Sequence, residues 1–208
     1  MSSLDIGRIT LATRITILRI LGVPVFVLLL LYYKINLQHD LPSDSYRLAA
    51  LGVFILIAAT DALDGYLARS RKEITRLGTI LDPIADKSLM LAALVMLTRP
   101  SLEALTPQFP VWFTLLVISR DTILILGAFL INSLHAHVDI KPRLPGKVST
   151  ALTMLAIVLV LAKTPQQLLN PLLYLTGLFV LVSGLRYLCD GIIQLEHGHA
   201  GKEESNEG

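Results

Sequence analysis

Four aspartates carry most of the chemistry that can be read directly from the 208-residue chain: Asp61 and Asp64, three residues apart, and Asp82 and Asp86, four apart. On helices, both spacings place the members of a pair on one face. The pairs bracket a single connection that also holds Arg69, Arg71, Lys72 and Arg76. Four carboxylates brought together repel one another, so either some are protonated or a cation is held among them. The cluster contains neither Cys nor His, and an all-oxygen donor set suits hard ions such as Mg²⁺ or Mn²⁺ better than Zn²⁺. Mg²⁺ keeps coordination positions open for phosphate oxygens, so carboxylates beside Arg69 point to chemistry on a diphosphate. Gly65 and Gly78 remove side chains where a flat or phosphorylated ligand would approach. Taken singly, the carboxylates have plainer readings. Asp82 followed by Pro83 fits a helix cap and first turn, and Asp61 could pair with Arg69 or Arg71. Those readings do not account for two helically spaced pairs facing one connection.

A second charged set follows. Arg120 and Asp121 fall inside an apolar run, where charge is costly, and Arg143 and Lys147 open the next one. Either Arg120 pairs with Asp121 while Lys147 reaches for the interface, or the set forms an anion pocket for a phosphorylated acceptor. Arg186, inside the last run, is open between those roles. His135, His137, His197 and His199 read as solvated loop and tail residues. The lone Cys189 cannot form an intrachain disulfide and reads as a small buried apolar residue.

The elements that must position these groups are membrane helices. The chain is 53% hydrophobic and 16% charged, with a mean hydropathy of +0.65, which excludes a water-soluble fold. Apolar runs cover residues 15–33, 48–67, 84–97, 111–131, 148–162 and 172–193. Backbone polar groups must be satisfied internally in lipid, so an all-α polytopic bundle of about six transmembrane helices is expected. The N-terminus lacks a small-residue cleavage site, so the first run is read as retained. Lys and Arg concentrate before the first run, between the second and third, and between the fourth and fifth, placing both termini in the cytoplasm of a cell whose inner membrane holds the protein. Residues 1–196 read as one domain without repeats, and 197–208 as a disordered polar tail. Residues 4–13 fit either an interfacial helix or a frayed basic flank. Tyr32, Tyr33 and Trp112 fit an aromatic belt on the outer side. Nothing suggests a nucleic-acid partner.

The segment D-A-L-D-G-Y-L-A-R, a spacer, then G-T-I-L-D-P-I-A-D resembles the signature of the CDP-alcohol phosphatidyltransferases, D-x-x-D-G-x-x-A-R followed by G-x-x-x-D-x-x-x-D. Every fixed position is present. T-I-L-R-I-L-G-V-P at residues 16–24 is similar to the family's first span, although Thr13 stands where Asn is often found. The resemblance implies a CDP-diacylglycerol-dependent enzyme with two divalent ions on the diphosphate, in which an acceptor hydroxyl attacks the β-phosphorus and CMP departs. It implies metal ligation by Asp61, Asp64, Asp82 and Asp86, with Asp86 also the general base. Gly65, Ala68, Arg69 and Gly78 would shape the cytidine and diphosphate pocket. Family members similar to this chain form homodimers.

The acceptor is read from two shorter segments. L-P-G-K-V-S-T at residues 144–150 looks like the corresponding region of the phosphatidylglycerophosphate synthases, which use glycerol 3-phosphate, with Arg120, Arg143 and Lys147 as acceptor-binding residues. I-S-R-D at residues 118–121 looks more like the cardiolipin synthases, which use phosphatidylglycerol. Glycerol 3-phosphate is favoured because the pocket is basic. A divalent-cation transporter is the remote alternative, and it would favour charges near the bilayer midplane in interrupted helices.

Overall fold

The computed structural model describes the backbone of residues 11–39, 44–71, 76–98, 106–133 and 144–204, and the side chains of 20–37, 39, 44–60, 87–98, 106–127, 146–187 and 189. Within them lie six helices and no strand: α1 Leu11–Gln38, α2 Asp44–Arg71, α3 Arg76–Leu97, α4 Val111–Ser133, α5 Leu144–Leu161 and α6 Gln166–Glu204. Two helices carry stretches long and apolar enough to cross a bilayer alone, Ile20–Leu37 and Gln166–Tyr187; Lys87–Leu97 and Gly146–Leu161 are shorter apolar helical stretches. Two sequence expectations change. α3 begins at Arg76, so Asp82 and Pro83 lie inside the helix and a capping role does not explain Asp82; membrane helices tolerate such prolines. α6 runs from Gln166 to Glu204. Cys189 is exposed, continuing a stripe of exposed apolar residues that includes Leu178, Leu181 and Leu185.

The chain divides into two compact units, the first made of residues 1–108 and 157–164. There α1 packs on both α2 and α3. The buried residues follow helical stripes: Phe26, Leu30 and Tyr33 on α1; Ala50, Phe54 and Ile57 on α2; Met90, Ala93 and Leu97 on α3. The Phe26 and Phe54 rings meet at 5.9 Å. Gly22 lets α1 approach α2, since a Cβ there would stand 2.5 Å from Ile57 Cδ1. With Tyr32 stacked on Tyr46, these contacts make α1 and α2 antiparallel. The opposite stripe of α1, Leu21, Val25, Leu28, Tyr32 and Ile35, is exposed, so this helix is apolar all round, as a lipid-facing span must be. Tyr32 keeps its expected exposed place, whereas Tyr33 is 2% exposed and belongs to the core.

One end of this unit is closed by cations. Lys34 donates to Met96 O, the carbonyl end of α3, at 2.5 Å, and Arg47 donates to Leu161 O at the end of α5. Basic groups there satisfy carbonyls that a helix end leaves without donors. Lys163 follows α5 with φ 56°. Its N–H bonds Val160 O and that of Thr164 bonds Leu159 O, the paired closure of a left-handed helix stop. The Lys163 ammonium also donates to Asp44 at 2.7 Å. That bond holds the Asp44 carboxyl below its ordinary 3.8 and the Lys163 ammonium above its ordinary 10.5.

The second unit comprises residues 109–156 and 165–208. α4 and α6 pack together and run parallel, because contacts advance in step along both: Trp112 with Tyr174 at 5.5 Å, Arg120 with Ser183, and Leu124 O with Tyr187 Oη. α5 returns between them in sequence, as two parallel helices require.

Candidate active site

The aspartate-bearing stretches are helical, Asp61 and Asp64 on α2 and Asp82 and Asp86 on α3. The side chains of these four residues, and those at Gly65, Ala68, Arg69 and Gly78, lie outside the described residues, as does Arg143. Helical rise fixes their level nonetheless. Arg47, Leu97, Leu161 and Lys163 line one cavity at the cation-closed end of the first unit. At about 1.5 Å per residue, Asp61 and Asp64 fall about 21 and 26 Å along α2 from Arg47, and Asp82 and Asp86 about 21 and 15 Å along α3 from Met96. The four positions therefore fall about 15–26 Å from the Lys34 and Arg47 end, on two helices that each pack against α1. No group of three or more His, Cys, Asp or Glu able to hold a metal occurs among the residues whose side chains are described.

In the second unit the charged set resolves around Arg120. Phe113, Val117 and Arg120 form one buried stripe of α4, and Arg120 is 8% exposed. Its Nη1 donates to Asp121 Oδ1 at 2.7 Å and its Nη2 to Ser183 Oγ at 3.1 Å. The pairing with Asp121 that the sequence allowed is present, yet it does not use the whole guanidinium: among the described residues the buried Nε has no hydrogen-bond partner. Leaving such a donor unpaired costs about 1–3 kcal/mol. α5 meets this group at its backbone. A Cβ on Gly146 would stand 2.8 Å from Arg120 Nη2 and 3.4 Å from Ser183 Oγ. Ser149 and Thr150 hydroxyls both donate to Gly146 O at 3.0 Å, fixing the first turn of α5. Lys147 is exposed, as is Arg186, and neither shares the buried position of Arg120. Gly146 belongs to the L-P-G-K-V-S-T segment read from sequence, but Ser183 was not singled out. The available signal was the stripe Leu169, Leu173, Thr176, Val180, which Ser183 extends by three residues.

Residues 9–183 match the family model described as CDP-alcohol phosphatidyltransferase. The chain belongs to this family. CDP-alcohol phosphatidyltransferases are membrane-associated enzymes that use divalent metal ions. A relative from Bacillus subtilis (strain 168), named CDP-diacylglycerol--glycerol-3-phosphate 3-phosphatidyltransferase, is 31% identical over 186 residues, 85% of this chain and 92% of that protein. A Pseudomonas fluorescens protein of the same name is 46% identical over 85 residues, 41% of this chain and 39% of its own length. A Homo sapiens protein named cardiolipin synthase (CMP-forming) is 36% identical over 129 residues, covering 54% of this chain and 41% of that one. The family match crosses both compact units.

Proposed function

We propose that this phosphatidyltransferase moves the phosphatidyl group of CDP-diacylglycerol to sn-glycerol 3-phosphate, giving phosphatidylglycerophosphate and CMP. The observation that supports the reading is two helically spaced aspartate pairs, one on α2 and one on α3, both helices packed against α1. Their all-carboxylate chemistry fits hard divalent ions. Two such ions, Mg²⁺ or Mn²⁺, held by Asp61, Asp64, Asp82 and Asp86, would neutralise the diphosphate and align its β-phosphorus. Asp86 takes the proton from the attacking hydroxyl. The acceptor oxygen bonds to the β-phosphorus, the bond from that phosphorus to the bridging oxygen breaks, and CMP leaves with the electron pair. Gly65, Ala68, Arg69 and Gly78 form the cytidine and diphosphate pocket, and Arg120, Arg143 and Lys147 hold the acceptor.

Glycerol 3-phosphate is supported by the Bacillus subtilis relative, whose similarity runs through 92% of that protein, and by a buried Arg120 with a spare donor. A phosphatidylglycerol acceptor is the second reading, favoured by I-S-R-D at residues 118–121 and by the human relative's name. The transporter alternative gives way to family membership. Residues 1–196 act as one catalytic domain, six helices span the cytoplasmic membrane with both termini and the aspartates on the cytoplasmic side, and the working form is a homodimer. Purified protein with CDP-diacylglycerol and Mg²⁺ is offered glycerol 3-phosphate, phosphatidylglycerol, inositol phosphate or serine, and CMP release is recorded. Release with glycerol 3-phosphate, abolished by EDTA and restored by Mg²⁺ or Mn²⁺, is expected. Release with phosphatidylglycerol alone overturns the acceptor, and no release with any alcohol removes the enzyme.

A further inference from the structure

We propose that Ser183 of α6, together with the bare backbone at Gly146 of α5, positions the Arg120 guanidinium so that its Nε–H faces a phosphate oxygen of the acceptor. The inference rests on the acceptor reading above and extends it to two residues that contact Arg120 from other helices.

A guanidinium carries five N–H donors in a rigid plane. Asp121 takes one from Nη1 at 2.7 Å and Ser183 one from Nη2 at 3.1 Å. Two anchors on different helices fix the plane, since rotation about any side-chain torsion of Arg120 would break one of them. The third nitrogen, Nε, is buried and has no partner among the described residues. A planar cation held at two corners with a buried donor to spare is preorganised for a phosphate, which accepts from adjacent guanidinium N–H groups. Asp121 alone would leave the plane free to swing about the neighbouring backbone; Ser183 removes that freedom. Gly146 serves the same end by absence. Any side chain there begins 2.8 Å from Nη2 and 3.4 Å from Ser183 Oγ, so the guanidinium would have to leave its place. A buried ion pair kept only for stability would have no need of a spare donor or of a glycine at this point.

Ser183 is thus a positioning residue, and its effect should fall on one substrate. Steady-state CMP release is measured for wild type and Ser183→Ala in detergent, varying glycerol 3-phosphate at saturating CDP-diacylglycerol and then the reverse. Ser183→Ala is expected to raise KM for glycerol 3-phosphate about tenfold, the loss of one hydrogen bond to a charged group, with KM for CDP-diacylglycerol and kcat within about twofold. In an Arg120→Lys background the same substitution is expected to add no further change, because its route through the guanidinium is gone. An unchanged KM for glycerol 3-phosphate, an equal rise in both KM values, or full additivity with Arg120→Lys overturns the inference. If Ser183→Ala does not fold, Ser183→Cys, close in size and a weak acceptor, carries the same expectation. Wild-type protein that releases no CMP with glycerol 3-phosphate would instead sink the acceptor reading, and this inference with it.

Discussion

At the scale of single residues, the chemistry divides between positions named by their spacing and positions named by their contacts. Asp61, Asp64, Asp82 and Asp86 stand out because ionised groups are expensive in apolar helices and these recur at helical intervals. Because α3 begins at Arg76, Asp82 lies inside the helix and a capping role does not account for it. If Asp86 is the base, Asp86→Asn lowers kcat by about 10²- to 10⁴-fold. Circular dichroism and the thermal midpoint of that variant stay at wild-type values, and retention of turnover would remove Asp86 from the mechanism. Ser183 and Gly146 are different. A serine and a glycine in apolar helices have many ordinary uses; Gly146 falls in a segment with a family likeness, but the approach of both residues to Arg120 is what gives them a role here.

At the scale of elements, the helix ends explain why some basic residues stand on the side that the charge distribution assigns to the exterior. Lys34 and Arg47 occupy the carbonyl ends of α3 and α5, so they serve the helices that they close. Arg47→Met leaves Leu161 O and its neighbours without that donor, and is expected to destabilise the protein by about 1–3 kcal/mol in thermal unfolding in detergent, with kcat per folded molecule retained. The bridge between Asp44 and Lys163 gives a pH dependence whose sign follows from the two shifts. The Asp44 pKa is lowered on folding, so its contribution is present above its unfolded value near 3.8 and fades as pH falls through the folded value. The Lys163 pKa is raised, so its contribution is present below 10.5 and fades as pH rises through the folded value. Lys163→Met should therefore lower the thermal midpoint slightly at neutral pH, and the difference should shrink at both extremes. Both side chains are more than a third exposed, so the effect is small and weakens further with salt. A constant difference across the range would show that the bridge does not contribute.

At the scale of the whole molecule, the exposed surface is the informative quantity. Leu21, Leu56, Leu115, Leu168, Leu178 and Leu185 are each more than half exposed, a distribution that water penalises and lipid accepts. The proposed topology has a direct test. In a Cys189→Ser background, Ser2→Cys and Ser205→Cys should resist a membrane-impermeant maleimide in intact cells and react after lysis, whereas Asp40→Cys should react in both. Labelling of Ser2→Cys in intact cells would invert the assignment.

Composition and hydrophobic runs alone determined that this is a helical membrane protein, because no other backbone arrangement satisfies its hydrogen bonds across so many long apolar stretches. The aspartate spacing alone determined the candidate chemistry, because helix periodicity converts a three- or four-residue interval into a shared face. Burial of individual apolar residues was not legible in the same way. Tyr33 is core and Cys189 is exposed, and both sit in helices with largely apolar stretches, Ile20–Leu37 and Gln166–Tyr187, where hydrophobicity carries no sign of which face meets protein and which meets lipid. The anchoring of Arg120 by Ser183 and Gly146 also waited for the tertiary structure. Contacts between residues 63 apart in the chain arise from α4 and α6 running side by side, and that pairing is decided by packing rather than by anything local to either sequence.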